Sequence, residues 1–425
     1  MILRRHGWAL GLVGALCVWL VGCRSEPAAP QYSRPLPEGA FGLRRIVDPA
    51  RWPDLSPLAH QLSDPSFREA LDRSLQWYAA PSSQQFFPSG PISHVHAWAS
   101  AYALRELGGL DTATALSRLR SEFDVWESVG WDGSGTVFFT GYYTPVFQAS
   151  RTRTPQYSYP LYRRPPDLVS DPVTGEVRGQ RTPGGIVPYP TRAQIESRNL
   201  LNGLELVYLA NRLDAYLIHV NGSAKLEMTD GSTMTIGYAG SNGRAYTSVG
   251  KLLVRDGKVD ENRLSLPVLR DYFQQHPQEL EGYIAQNDRF VFFQEYDGDN
   301  WPAGSLGVRV TPLRSLATDK QVFPRGCVVL VETQVPTASG GTQPFAQAML
   351  DQDTGGAIRA AGRADIYMGI GEQAGTLAGR QAAEGRMYYL LLRRDRVQSW
   401  YNQMMQQQPA SPEPVARSTP STPRG

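Results

Sequence analysis

The sequence predicts a mainly β protein with helices gathered near its N-terminus, and three features carry that prediction. Helical periodicity is concentrated at about residues 63–123. Beyond 305 the apolar segments are short, β-branched and joined by Gly-rich connections. That texture suits a small closed barrel or sandwich, not a parallel sheet with regular crossover helices. Between these regions lies one strand-like run, Val137-Phe138-Phe139-Thr140-Gly141-Tyr142-Tyr143-Thr144, separated from the later strands by a long turn-rich interlude. At 425 residues the chain has room for two or three compact units.

Taken in order, the first segment is a targeting signal. Arg4 and Arg5 precede an apolar run over 8–22. As a helix that run rises about 22 Å, short of a hydrocarbon core of about 30 Å. A basic start, a short apolar core and a small residue before Cys23 read as a signal peptide of residues 1–22, not a membrane span. Residues 23–40, rich in Pro, Ala, Glu and Ser, form a tether. Ser63-Asp64-Pro65 opens a helix towards Tyr78, with Phe67, Leu71, Leu75 and Tyr78 at three-to-four spacing. A second helix spans 93–107 and stops at Gly108-Gly109; a third opens at Asp111 and runs to Phe123. The middle region carries a turn at 182–185, a helix-like stretch at 192–201, and expected strands at 213–222, 233–238 and 289–295. Further strands are expected at 307–310, 327–332, 345–351, 364–368 and 387–393. The Gln-, Pro-, Ser- and Thr-rich tail from 406 to 425 reads as disordered.

Composition excludes several classes. The formal charge is +2, two arginines leave with the signal, and no basic block marks a nucleic-acid partner. Arg393, Arg394 and Arg396 form only a short cluster, as at a solvated helix or strand end. Cys17 leaves with the signal and Cys23 marks its end, so Cys327 has no partner for an internal disulfide. It lies in the apolar run 327–331 and reads as a buried, inert thiol. His94 and His96 sit two apart on a helix and face different directions, so no metal site is expected. There is no nucleophile elbow of the GxSxG kind. The segment 237–243 is Gly-rich but lacks both the phosphate-binding Lys and the dinucleotide spacing. It reads as a tight loop presenting backbone donors, and no cofactor is implied.

Aspartates are the candidates for chemistry: Asp351, Asp353 and Asp365. If Ala364, Ile366 and Met368 share one face of a strand, Asp365 and Tyr367 share the other. An Asp desolvated among apolar residues holds its proton more tightly and can serve as an acid. The alternative is an Asp paired with Arg363 or Arg359, or capping a loop. The residues alone leave both open.

Several longer segments narrow the choice. They are 139–145 (Phe-Thr-Gly-Tyr-Tyr-Thr-Pro), 220–223 (Val-Asn-Gly-Ser), 237–250, 310–317 (Val-Thr-Pro-Leu-Arg-Ser-Leu-Ala) and 353–369. In this order the sequence resembles the MltA family of membrane-bound lytic murein transglycosylases, over roughly 135–395. The segment Leu20-Val21-Gly22-Cys23 likewise resembles a bacterial lipobox, in which the Cys is acylated.

The resemblance implies two domains around a groove. One is a double-psi β-barrel, shared between 41–155, which also holds the helices, and 305–400; the other is a β-rich domain inserted over 156–304. It implies a lytic exotransglycosylase that cleaves the bond between N-acetylmuramic acid and N-acetylglucosamine without water, leaving a 1,6-anhydro ring. Asp365 matches the family's catalytic acid and base, with Asp353 in support. Thr140, Tyr142, Tyr143 and Thr144 are implied to line the groove, and Asn221, Ser223 and Lys225 to contact the sugars. Around Asn221 the sequence departs from the family's usual Gln-containing run. Implied partners are peptidoglycan glycan strands, a membrane reached through lipid on Cys23, and a cell-wall synthesis or degradation complex. The implied location is the periplasmic face of the outer membrane. Competing readings are a peptidoglycan hydrolase of the same fold and a non-enzymatic glycan-binding wall protein.

Overall fold

Helices dominate the stretch from 56 to 122 because it supplies both start signals and apolar stripes. The computed structural model describes residues 30–171, 176–260, 264, 266–296, 301–355 and 358–407. The signal peptide, Cys23, the start of the tether and the tail beyond Gln407 lie outside the described residues. A short strand β1 (Leu43–Arg45) is followed by α1 (Ser56–Gln61), α2 (Pro65–Ala79), α3 (His94–Leu107) and α4 (Thr112–Glu122). Asp64, Ser93 and Asp111 cap the last three by accepting from first-turn amides. These are the helices the sequence predicts.

β2 (Phe123–Ser128) and β3 (Val137–Thr144) follow. The chain then builds β4 (Val146–Ser150), β5 (Tyr159–Tyr162), β6 (Leu168–Ser170), β7 (Val177–Thr182), β8 (Gly185–Val187) and α5 (Arg192–Ser197). Next come β9 (Glu205–Leu209), α6 (Arg212–Asn221), β10 (Ala224–Met228), β11 (Thr233–Ser241), α7 (Val249–Arg255), α8 (Leu266–Gln275), α9 (Leu280–Ile284) and β12 (Val291–Glu295). The last stretch holds β13 (Ser315–Ala317), β14 (Val328–Pro336), β15 (Thr342–Asp353), β16 (Arg363–Ile370), α10 (Glu372–Arg380), β17 (Ala382–Leu392) and α11 (Arg394–Gln407).

Strand pairing gives two lobes. In the first, the hydrogen-bonded order β17-β14-β15-β13-β16-β3 returns from β3 to β17, so six strands close a ring; β2 and β1 extend it from β17. β3 runs parallel to β16 and β13 parallel to β15. Val329, Leu330, Leu350, Ile366 and Leu390 fill a core continuous with Phe67 and Leu71 of α2 and Leu104 of α3. Each such side chain stabilises the fold by about 1.5–3 kcal/mol on burial. The second lobe is the sheet β12-β11-β10-β4-β9-β5, with Val207, Leu226, Ile236 and Phe293 in its core, and a three-stranded β6-β7-β8 beside it in sequence. The chain enters the second sheet at Val146, ahead of the boundary expected at 156.

Four expectations are corrected. The expected strand at 213–222 is helix α6. Its apolar residues from Leu213 to Ile218 are buried on several sides and Val220 alone is exposed, so periodicity does not separate strand from helix. The ends decide: Asn211 accepts from the Leu213 and Asp214 amides, and Gly222 closes the helix at φ 77. Residues 307–310 form no strand, only a single bridge between Ala303 and Arg309. The stretch at 192–201 is helical only as far as Ser197. Residues 406 and 407, expected in the disordered tail, are instead the end of α11, which buries Trp400 and Met404; the rest of that expectation lies outside the described residues. Among the described residues no helix is long and apolar enough to cross a membrane.

Candidate active site

The site follows from the register of two strands distant in sequence. Parallel pairing of β3 with β16 sets Thr140 opposite Asp365, Tyr142 opposite Tyr367 and Phe138 opposite Arg363. Side chains alternate along each strand, so Arg363, Asp365 and Tyr367 project from one face alongside Phe138, Thr140 and Tyr142. The Thr140 hydroxyl donates to Asp365 Oδ1. Arg363 Nη2 donates to Thr140 Oγ1 at 3.0 Å and lies 3.6 Å from Asp365 Oδ1. The Asp365 side chain is 18% exposed, crowded by protein yet reachable from solvent. Burial pushes its carboxyl above the ordinary 3.8, against the opposing pull of Arg363 and the Thr140 hydrogen bond. Asp365 is thus paired with Arg363, while burial shifts its carboxyl in the direction that favours the protonated form.

Asp353 ends β15 nearby. Its Oδ1 accepts from the backbone N–H of Ser305 and of Thr354, each at 2.8 Å. Burial raises its carboxyl too, opposed first by those two amides. Tyr142 lies within the electrostatic influence of both carboxylates. Burial raises its phenol well above the ordinary value, and Asp353 and then Asp365 add to that shift. The approach to Asp353 falls short of hydrogen-bond geometry, so the Tyr142 hydroxyl is buried without a partner among the described residues. Tyr142 packs on Tyr367, with ring centroids 5.1 Å apart.

The other expected residues lie elsewhere. Thr144 is 2% exposed, and its hydroxyl bonds that of Tyr367 at 2.9 Å, which braces the barrel wall. Tyr143, next along the strand, packs under α10, where a Cβ on Gly375 would meet its ring at 2.8 Å. Asn221 donates to Leu217 O at 2.8 Å at the end of α6. Ser223 follows that helix end, and Lys225 lies on β10, its amide bonded to Pro145 O at 2.9 Å. No hydrogen bond or ion pair joins these three to Asp365 or Asp353 among the described residues. The Gly-rich 237–243 segment, expected as a tight loop, is instead strand as far as Ser241, paired with β12 across a bulge between Tyr238 and Gly240; beyond it Asn242 donates to Pro190 O and Asp288 O and accepts from the Phe290 amide.

Asp351 is not part of the site. It is fully buried in the barrel, where Lys320, Thr318 and Tyr389 all donate to it. Cys327 is buried against Tyr78, and burial pushes its thiol up to about 12, as expected of an inert cysteine. His94 and His96 serve separate partners, Ser83 Oγ and Leu392 O. Among the described residues no three His, Cys, Asp or Glu side chains converge as metal ligands. Sequence reading did not single out Ser305, Thr318, Lys320 or Tyr389, since their roles depend on pairing between distant segments.

Comparison with known proteins places this geometry in context. A family model described as the MltA specific insert domain matches residues 138–294, and one described as the 3D domain matches 314–391. The membrane-bound lytic murein transglycosylase A of Escherichia coli K12 is 35% identical over 274 residues, 63% of this chain and 69% of that one. A membrane-bound lytic murein transglycosylase from Agrobacterium tumefaciens superposes with a TM-score of 0.68 at 25% identity, covering 85% of this chain and 100% of that chain. The E. coli MltA structure with bound chitohexaose gives a TM-score of 0.63 at 27% identity, covering 86% and 99%.

Proposed function

The chain belongs to the MltA family and is a glycan-cleaving enzyme, and on that premise we propose the bond it cuts and the residues that cut it. The substrate is peptidoglycan. The bond is the β-1,4 link from N-acetylmuramic acid to N-acetylglucosamine, and cleavage proceeds without water to leave a 1,6-anhydro ring. One observation carries this reading: Asp365 is desolvated, held by Thr140 and Arg363, and still open to solvent.

Protonated Asp365 donates to the glycosidic oxygen as the bond to muramic acid C1 breaks, and the leaving sugar departs with a hydroxyl. The carboxylate so formed takes the proton from the C6 hydroxyl of the same muramic acid, whose oxygen attacks C1. Proton, bond and oxygen balance with no water consumed. Ordinary glycosidases use a second carboxylate as nucleophile or to activate water. Here the nucleophile is tethered to its target, and proximity replaces that group. Asp353, fixed by two backbone amides, supports the site through Tyr142. Thr140 and Tyr142 face the reacting end, while Asn221, Ser223 and Lys225 are assigned to sugar further along the chain.

The closed six-stranded ring with two parallel pairings supports a double-psi β-barrel for the first lobe, the second lobe being the inserted domain. The bound chitohexaose of the E. coli relative supports a glycan strand as ligand. Cys23 is assigned the lipid, which tethers the mature chain to the periplasmic face of the outer membrane.

Mass spectrometry of glycan digests tests the reaction. Products one water lighter than hydrolytic fragments support it; reducing-end muramic acid would make the protein a hydrolase, and intact glycan with tight binding a binding protein. Asp365→Asn is expected to abolish turnover. Labelled palmitate is expected to enter the wild type and not Cys23→Ser.

A further inference from the structure

The three polar groups on the β3–β16 face have different capacities, and those capacities fix where a proton can go. A guanidinium has only donors, and a threonine hydroxyl has a single hydrogen. Arg363 Nη2 donates to Thr140 Oγ1 at 3.0 Å, so Thr140 is an acceptor there. Its own hydrogen is then free for one direction, and it points to Asp365 Oδ1. The guanidinium is itself held in place, its carbon 5.6 Å from the centre of the Phe138 ring, because Phe138 pairs with Arg363 in the register.

We infer that Arg363 and Thr140 form a one-way hydrogen-bond relay that confines the acid proton of Asp365 to Oδ2, which makes Arg363 a positioning residue for proton donation. A proton on Oδ1 would point at the Thr140 hydrogen and at a cation 3.6 Å away. On Oδ2 it meets neither. The relay thus decides which oxygen gives the proton to the glycosidic bond, and the same oxygen is left to take one back. Oδ1 stays an acceptor throughout. This inference rests on the assignment of Asp365 as acid and base. The charged or titratable groups acting on Asp365 are Arg363 on its own strand and Tyr142 on β3, with Asp353 of β15 beyond the Tyr142 phenol.

The test compares Thr140→Val, Thr140→Ser, Arg363→Gln and Asp365→Asn on purified glycan strands, with kcat, KM and the pH profile measured for each. Thr140→Val keeps the shape of the side chain and removes the donor. It is expected to lower kcat about tenfold or more with little change in KM, part of the about 10²–10⁴ that general acid catalysis contributes. Both Arg363 and Thr140 stabilise the carboxylate. Loss of either raises the Asp365 pKa and moves the alkaline limb of the kcat profile to higher pH. Thr140→Ser is expected to restore both rate and limb, which a purely structural role would not require. Wild-type kcat and an unmoved limb in Thr140→Val and Arg363→Gln, beside an inactive Asp365→Asn, would overturn the relay alone. An active Asp365→Asn would overturn the acid assignment and the relay with it. Neutron diffraction of the wild-type protein at acid pH needs no variant: deuterium on Oδ2 supports the relay, and deuterium on Oδ1 refutes it.

Discussion

Removing the Asp351 carboxylate tests how the barrel is held together beneath the site. In Asp351→Ala, Lys320 is left in the core with its side chain 5% exposed, and the Tyr389 and Thr318 hydroxyls lose acceptors at 2.8 and 2.9 Å. Breaking a buried pair by deleting one partner typically costs about 3–5 kcal/mol. A ceiling comes from the lysine itself, which escapes by releasing its proton. From an ordinary value of 10.5, neutralising it at pH 7 costs about 4.8 kcal/mol, at 1.36 kcal/mol per pH unit. At pH 9 the same step costs about 2 kcal/mol. The expected loss is therefore about 4 kcal/mol at pH 7, narrowing by about half at pH 9, against a total stability of about 5–15 kcal/mol. Urea unfolding followed by circular dichroism at the two pH values reads this directly. Asp351→Asn combined with Lys320→Met removes both charges and is expected to stay within about 2 kcal/mol of the wild type. A single variant that loses under about 1 kcal/mol, or a double variant no better than the single, would show that the pair is not what holds this part of the barrel.

Three other outcomes follow from the geometry. A carboxyl with a raised folded-state pKa binds its proton more tightly in the folded chain, so Asp365 subtracts stability as pH rises above 3.8 and through the folded value. Asp365→Asn is thus expected to gain stability at pH 7 and nothing at pH 3, measured as the shift in urea midpoint; a loss at pH 7 would contradict the burial argument. Gly141→Ala puts a Cβ 2.8 Å from Ala378 Cα, and pushing α10 off β3 is expected to cost about 1–3 kcal/mol in thermal unfolding and to reduce turnover by shifting Thr140 and Tyr142. Cys327, with its thiol pushed up to about 12, is expected to resist iodoacetamide in the folded protein at pH 8 and to react only on unfolding, as peptide mass mapping will show.

Local rules read some parts of this fold and not others. Asp64, Ser93 and Asp111 each announced a helix, because a cap and the apolar stripe behind it lie within a few residues. The same rules applied to 213–222 favoured a strand, since the β-branched and aromatic content outweighed Asn211 and Gly222, the residues that decide the matter. Asp365 stood out as an acid among apolar neighbours. Its partner Thr140 lies 225 positions away, and no local pattern encodes that pairing. Neighbours on a strand face opposite ways, so Tyr142 and Tyr143 do not share a face, and it is Tyr142 that lies within the influence of both carboxylates. Alternation gave no warning that Thr144 would be taken by Tyr367. Asp351 and Asp353 are both candidates on residue type; the structure sets them two apart on β15, with Asp351 in a core ion pair and Asp353 held by the Ser305 and Thr354 amides.

The closure of the barrel by β3 also bears on how the protein is made. Parallel pairing of β3 with β16 joins segments more than two hundred residues apart, so the contact forms late and on the slow side of folding, after the second lobe has been synthesised. On the proposed assignment, a chain interrupted before Arg363 holds Thr140 and Tyr142 without an acid, and a fragment starting after β3 holds Asp365 without its donor. Neither piece has a working site. Competence to cut a wall polymer is thereby withheld until synthesis and folding are complete, a safeguard written into strand order with no inhibitor required.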